Sequence, residues 1–174
     1  LVHHQDLVLS TQGRSFWILD DVSPLHQLTE RVARAPAHLF TPRPAHRTDG
    51  APFGPNTAFV RDPVGGARLD RHQAGQNPPA GATIFYAFAE DRQDDVKLEI
   101  LDGQGAVIRS YTGVPKRAGL NRFLWDLSYP GAREPQGTAS LQGSTAGARA
   151  VPGTHQVRLT AGSWSATQSF EVLK

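Results

Sequence analysis

Val96, Leu98 and Ile100 alternate with Lys97 and Glu99, and this period of two constrains the chain more than any other feature. A strand points successive side chains to opposite faces, so the alternation describes a strand with one greasy side and one wet side. Asp102-Gly103 follows, a pair that tolerates positive φ, and the apolar pattern resumes over 107–111. The three pieces predict a β-hairpin. From Gly81 onward the same grammar recurs. Segments 83–89, 96–101, 107–111, 120–129, 154–161 and 164–172 read as six strands at the spacing of a two-layer β-fold. Phe123, Trp125 and Leu127 are expected on one face of the fourth. Val157, Leu159 and His155 are expected to point inward from the fifth, with Phe170 and Val172 inward from the last. Gly162-Ser163 is the tight turn between those two.

The first eighty residues are less regular. Leu7-Val8-Leu9 and Phe16-Trp17-Ile18-Leu19 read as two strands of one hairpin, joined by a turn-like stretch over 10–15. A lone hairpin is marginal in water, so it needs other strands to lie against. Ser23-Pro24 predicts a helix with Ser23 as N-cap and Pro24 in its first turn. Leu25, Leu28 and Val32 follow at helical spacing, about three turns in all, before Pro36 ends the run. Between 37 and 80 come Pro42, Pro44, Pro52, Pro55, Pro63, Gly65-Gly66 and Pro78-Pro79, with short strand signals only at Leu39-Phe40 and Ala58-Phe59-Val60. So long a stretch with so few elements suits an arm that wraps a surface or bridges two bodies. Residues 130–153, rich in Gly, Ala, Ser and Thr, read as a long mobile loop.

The fold class expected is all-β: an Ig-like or fibronectin-like antiparallel β-sandwich over 81–174, preceded by an N-terminal β-hairpin, a short helix and a long Pro/Gly-rich arm. Composition agrees. Apolar residues make 39% of the 174 and charged residues 20%, while 17 glycines and 13 prolines exceed the ordinary share of roughly 12%. A net charge of +2 without any basic run gives no reason to expect a nucleic-acid partner. No window approaches the ~18 apolar residues of a membrane span. The first residues lack the basic start and apolar stretch of a secretory signal. Without cysteine there is no disulfide and no thiolate nucleophile. The absence of Met at position 1 is read as a processed product or the tail of a longer chain.

Several strings taken together resemble a known family. DLVLSTQGRSFWILDDVSPL at 6–25 is similar to the last β-propeller strands and propeller exit of bacterial sortilin-like (BNR-repeat) proteins, which are often labelled glycosyl hydrolases. NPPAGA at 77–82, LEILD at 98–102, GLNRFLWDL at 119–127 and VPGTHQVRL at 151–159 resemble that family's C-terminal β-sandwich. The sandwich is also similar to the Ig-like domain of flagellar hook-capping proteins. The likeness covers most of the chain and is weakest over 50–70 and 131–150. It implies three parts: 1–27 as a remnant of the last propeller strands and exit, 28–80 as helix and connecting arm, and 81–174 as the Ig-like module. It also implies a secreted or periplasmic protein. The Asp-box repeats that mark the propeller (Ser-x-Asp-x-Gly-x-Thr-Trp) do not occur here, so no catalytic residue is carried over.

Among candidate sites, the pairs Asp20-Asp21 and Asp94-Asp95 offer the hard oxygen ligands of Ca²⁺. Neighbours on an extended strand diverge, however, and no EF-hand spacing follows, so structural roles are expected. A glycosidase needs two carboxyl groups some 5–9.5 Å apart across a sugar. Glu30, Glu90, Glu99, Glu134 and Glu171 are scattered, and Glu99 is expected on the solvated face of its strand. His3, His4, His26, His38, His46, His72 and His155 show no zinc spacing. There is no Gly-x-Ser-x-Gly elbow, and Gly65-Gly66 lacks the Lys-Ser/Thr of a phosphate loop. Of the three tryptophans, Trp125 and Trp17 are expected in apolar surroundings. Trp164, following a turn, is expected to be the most exposed, and is the candidate carbohydrate contact.

The expectation is therefore a non-catalytic accessory domain with no cofactor and no metal. Its partner would be the propeller of its own parent protein, with homodimerisation through the N-terminal hairpin as a second mode. The alternative is a carbohydrate-binding module.

Overall fold

In a computed structural model, the described residues are 2–3, 5–13, 16–47, 58–61, 67–70, 80–131 and 147–174. The chain is all-β. It begins with β1 (Val2–His3), β2 (Asp6–Ser10) and β3 (Phe16–Leu19), then two short helices, α1 (Ser23–Gln27) and α2 (Glu30–Ala33). Next come β4 (Ala37–Leu39), β5 (Ala45–His46), β6 (Ala58–Arg61) and β7 (Ala67–Asp70). The remaining strands are β8 (Ala82–Phe88), β9 (Val96–Asp102), β10 (Val107–Thr112), β11 (Gly119–Trp125), β12 (Gly153–Ala161) and β13 (Trp164–Leu173). Among the described residues, no helix is long and apolar enough to cross a membrane.

Two sheets enclose one core. The larger runs β10-β9-β12-β13-β5 and the smaller β11-β8-β4. Ile84, Tyr86 and Trp125 of the smaller sheet meet Leu98, Ile100, Val157, Leu159, Phe170 and Val172 of the larger in a single buried cluster. The inward residues are those expected from the alternation, and their burial is the main favourable term in folding. The Trp125 ring packs edge-on against Phe170 with centroids 6.1 Å apart, and Trp125 Nε1 donates to the Ser128 carbonyl at 3.2 Å. At the open margin, Tyr111 of β10 and Phe123 of β11 meet at 4.7 Å.

Turn chemistry fixes the register. In the β9–β10 hairpin, Asp102 Oδ1 accepts from the amides of Gln104 at 2.9 Å and Ala106 at 2.8 Å. The positive φ falls at Gly105 (88°) rather than at the expected Asp-Gly step, because three loop residues, not two, close this turn. Gly81 opens β8 at a φ of 137°, and a Cβ there would strike the Trp125 carbonyl, so only glycine fits. The β12–β13 hairpin closes through Gly162-Ser163 as expected, with Ala161 facing Trp164.

Several expectations need correction. The single three-turn helix is two short ones. Leu28 is extended (ψ 98°), and Thr29 starts α2 by accepting from the Val32 amide. The N-cap of α1 is Val22 rather than Ser23, and no side chain caps it. Leu25 and Leu28 face solvent; without a buried apolar stripe, nothing holds a longer helix together.

Two strands of the body come from the stretch read as connecting arm. β4 pairs with β8, and β5 pairs with β13 in parallel, so the larger sheet is mixed rather than wholly antiparallel. The strand signal at Leu39-Phe40 corresponds to β4, at the edge of the smaller sheet, while β5, at two residues, is too short to carry a visible alternation. β11 ends at Trp125. Leu127 stays buried but lies in a turn at φ 57°, where Ser128 Oγ and N donate to Asp126 Oδ1.

The proposed mobile loop at 130–153 is ordered at its end. Arg149 bridges to Ser128, and Ala150 is fully buried. Residues 132–146 lie outside those described, as do 48–57, 62–66 and 71–79 of the expected arm. β6 and β7 form a separate two-stranded hairpin.

Candidate functional site

The expected N-terminal hairpin is present, with β1 added to it. Leu7 faces Leu19, Val8 faces Ile18, Leu9 faces Trp17 and Ser10 faces Phe16, while β1 lies on the other side of β2. Among the described residues, β3 is therefore a free edge. Leu7, Leu9, Trp17 and Leu19 share one face of this sheet; Val8, Phe16 and Ile18 share the other. All four residues of β3 are exposed, from 55% for Leu19 to 72% for Phe16. A run apolar on both faces is the mark of a strand meant to be covered on both, and among the described residues neither face is covered. An exposed edge with this composition recruits another strand.

The sheet leaves through a charged junction. Asp21 sits in the left-handed region (φ 58°), which Asp tolerates better than most residues. Its amide donates to Asp6 Oδ1 at 2.8 Å, and its own Oδ1 accepts from the Ser23 amide at 3.1 Å. Arg43 Nη1 donates to Asp6 Oδ1 at 3.0 Å, and Arg43 Nε lies 3.6 Å from Asp21 Oδ2. Asp20-Asp21 thus end a strand and precede a helix, as expected. Nothing in the residue spacing marks Arg43 as the partner, 37 residues from Asp6. In the other pair, Asp94 Oδ2 binds Arg92 Nη2 at 2.5 Å, and its carbonyl accepts from Lys116 Nζ; Asp95 is exposed.

Glu99 overturns its expectation. It does lie on the outer face of the larger sheet, yet it is only 6% exposed. Lys97 Nζ is 2.6 Å from Oε1, and Arg158 donates to Oε2 through Nε at 2.8 Å and reaches it with Nη2 at 2.7 Å. Ser110 Oγ donates from the opposite neighbour strand at 3.4 Å. β9 is central, so β10 and β12 flank this carboxylate on both sides. The hydrogen bond from Lys97 foremost, helped by Arg158 and opposed by burial, holds the Glu99 carboxyl below its ordinary range. This is a cross-strand ion cluster, with its charges already matched.

The other carboxylates stay apart. Glu30 pairs with Arg34, Glu171 accepts from Thr154 Oγ1, and Glu90 is exposed; Glu134 lies outside the described residues. His155 is buried beside Trp125 and Phe170, with Nδ1 3.1 Å from the Gly153 carbonyl, the packed strand histidine that was expected. His38, on the edge strand β4, has its pKa lowered by burial and then by Arg31. His26 and His46 are exposed; His4 and His72 lie outside the described residues. Among the described residues, no three acidic or histidine side chains are grouped to hold a metal ion.

The tryptophans are distributed differently from expectation. Trp125 is fully buried. Trp164 is half-buried and packs against the core from the start of β13. Trp17 is the exposed one, at 62%. Its apolar neighbours in sequence suggested shelter, but they share its strand and supply no second layer to cover it.

No family model, no curated protein and no solved structure matches the chain.

Proposed function

We propose that this chain is a non-catalytic C-terminal accessory module of a secreted or periplasmic sortilin-like propeller protein. In this reading the two-sheet body is an Ig-like sandwich, and the N-terminal sheet supplies strands to the last blade of the propeller. One observation carries the proposal. β3 is apolar on both faces and, among the described residues, uncovered on both and open along one edge. A propeller blade answers all three needs, because its inner strands are paired at the edge and stacked between neighbouring blades. The resemblance of 6–25 to propeller-exit strands supports the same placement.

The body then acts as a brace that stabilises the propeller or positions it. The parent's label as a glycosyl hydrolase attaches to the propeller and not to this module. The carbohydrate alternative is weaker. Trp164 has part of its surface engaged by the core, and the exposed Trp17 has aliphatic neighbours, Leu9 and Leu19, rather than the polar groups that orient a sugar.

The test is reconstitution. The propeller part of the parent protein, produced separately, is expected to capture the 174-residue chain, and Ile18→Asp is expected to abolish capture. No capture, or capture indifferent to Ile18→Asp, overturns the proposal. Concentration-dependent dimerisation of the chain alone, abolished by the same substitution, would show a second copy taking the propeller's place.

A further inference from the structure

The N-terminal sheet is joined to the two-sheet body by very little. Among the described residues, none of its strands makes more than marginal contact with any element outside the sheet. Polar links hold the junction among the described residues. On the body side of the hinge, the Gln27 side chain pairs with the backbone of Thr41, donating to its carbonyl at 3.0 Å and accepting from its amide at 2.9 Å. Thr41 Oγ1 in turn donates to Gln168 of β13. Helix α1 is thus anchored to the body whatever the sheet does.

On the sheet side, among the described residues, lie the charged junction and the bond from the Val22 amide to the Gln5 carbonyl. Arg43, two residues before β5, reaches Asp6 in β2 and the Asp21 carboxylate, whose side chain is 3% exposed. Between the two sides lies Asp21, with its left-handed backbone. Rotation about that residue would swing the whole sheet.

We propose that Arg43 is a latch: a positioning residue that holds the N-terminal sheet in one orientation on the two-sheet body. The interaction has the right physics for a latch. A guanidinium presents several donors in a fixed fork, so one side chain serves two carboxylates from different segments. Losing it leaves a nearly buried carboxylate without a counter-charge, which opposes the latched state strongly. Opening the hinge returns Asp6, Asp21 and Arg43 to water, and the body keeps its core. The latch extends the docking reading, since a fixed sheet carries the body into a fixed place on its partner. It is measured on this chain alone, so its failure is distinguishable from failure of docking.

The chain contains no cysteine, so Ser10→Cys with Thr167→Cys gives a clean pair of spin labels, one on β2 and one on β13. The expected result is a single narrow distance distribution that becomes broad with Arg43→Gln and recovers in part with Arg43→Lys, which keeps the charge but loses the fork. In the Arg43→Gln variant, exchange of the Val22 amide is expected to rise about tenfold, while amides of β9 and β12 stay protected. Asp6→Asn breaks the latch from the sheet side without touching the body, and should broaden the distribution as well. A distribution already broad in the native chain, or unchanged in both Arg43→Gln and Asp6→Asn, overturns the proposal.

Discussion

The N-terminal sheet and the two-sheet body are built from equally apolar strands, yet the body covers its apolar residues and the sheet does not. In β9 and β12 the large apolar side chains are concentrated on the inward face and meet the opposite sheet. In β3 they occupy both faces and meet nothing among the described residues. The difference teaches that apolar content alone does not say where a strand belongs. A one-faced strand needs one partner layer, which this chain supplies itself. A two-faced strand needs two layers and a paired edge, and the described residues supply neither to β3.

The largest effect expected belongs to the body. Trp125→Ala removes the biggest fully buried side chain and its hydrogen bond to Ser128. It should lower unfolding free energy by about 3–5 kcal/mol in urea melts. A loss under 1 kcal/mol would mean that the shared core is not what holds the two sheets together.

The sharpest contrast comes from making one chemical change in both places. Ile100→Thr introduces a hydroxyl into the core and should be destabilising by about 2–4 kcal/mol. Ile18→Thr, on an exposed strand, should change the same melt by no more than about 0.5 kcal/mol and reduce self-association. Equal losses at the two sites would erase the distinction drawn between the regions.

A smaller effect is expected at the ion cluster. Arg158→Met leaves Lys97 as the one cation on Glu99, beside the Ser110 hydroxyl, and since both cations are partly exposed, the loss should be about 1–2 kcal/mol near neutral pH. The pH dependence is smaller again. Because Glu99 titrates lower in the fold than unfolded, its contribution is fully present above the ordinary carboxylate pKa. It is lost as pH falls through the depressed value. Glu99→Gln should flatten that acid limb of a stability-against-pH curve. His38 acts with the same sign at higher pH: its lowered pKa means that stability starts to fall as pH drops through the ordinary histidine value.

Much of the body was legible in the sequence, because alternation and turn chemistry are local. The hairpins at Asp102 and Gly162 and the inward residues of β9, β12 and β13 follow from neighbours in the chain. What was not legible depends on residues far away. Glu99 is sheltered because Ser110 and Arg158 flank it from two other strands. The strand signal at Leu39-Phe40 did mark β4, but Ala45 is buried because β13 recruits a two-residue segment with no pattern of its own. Trp17 is exposed because, among the described residues, no second layer lies over a run whose composition promised burial. Arg43 reached the junction through the path of the chain past α1 and β4, which no spacing announces.

The central claim is that β3 is an interior strand awaiting its neighbours. Its most direct test is hydrogen exchange at the amides of Phe16–Leu19, compared between this 174-residue chain and the proposed larger propeller protein. Strong protection in the larger protein and fast exchange in the chain alone are expected; fast exchange in both would show that β3 stays uncovered there.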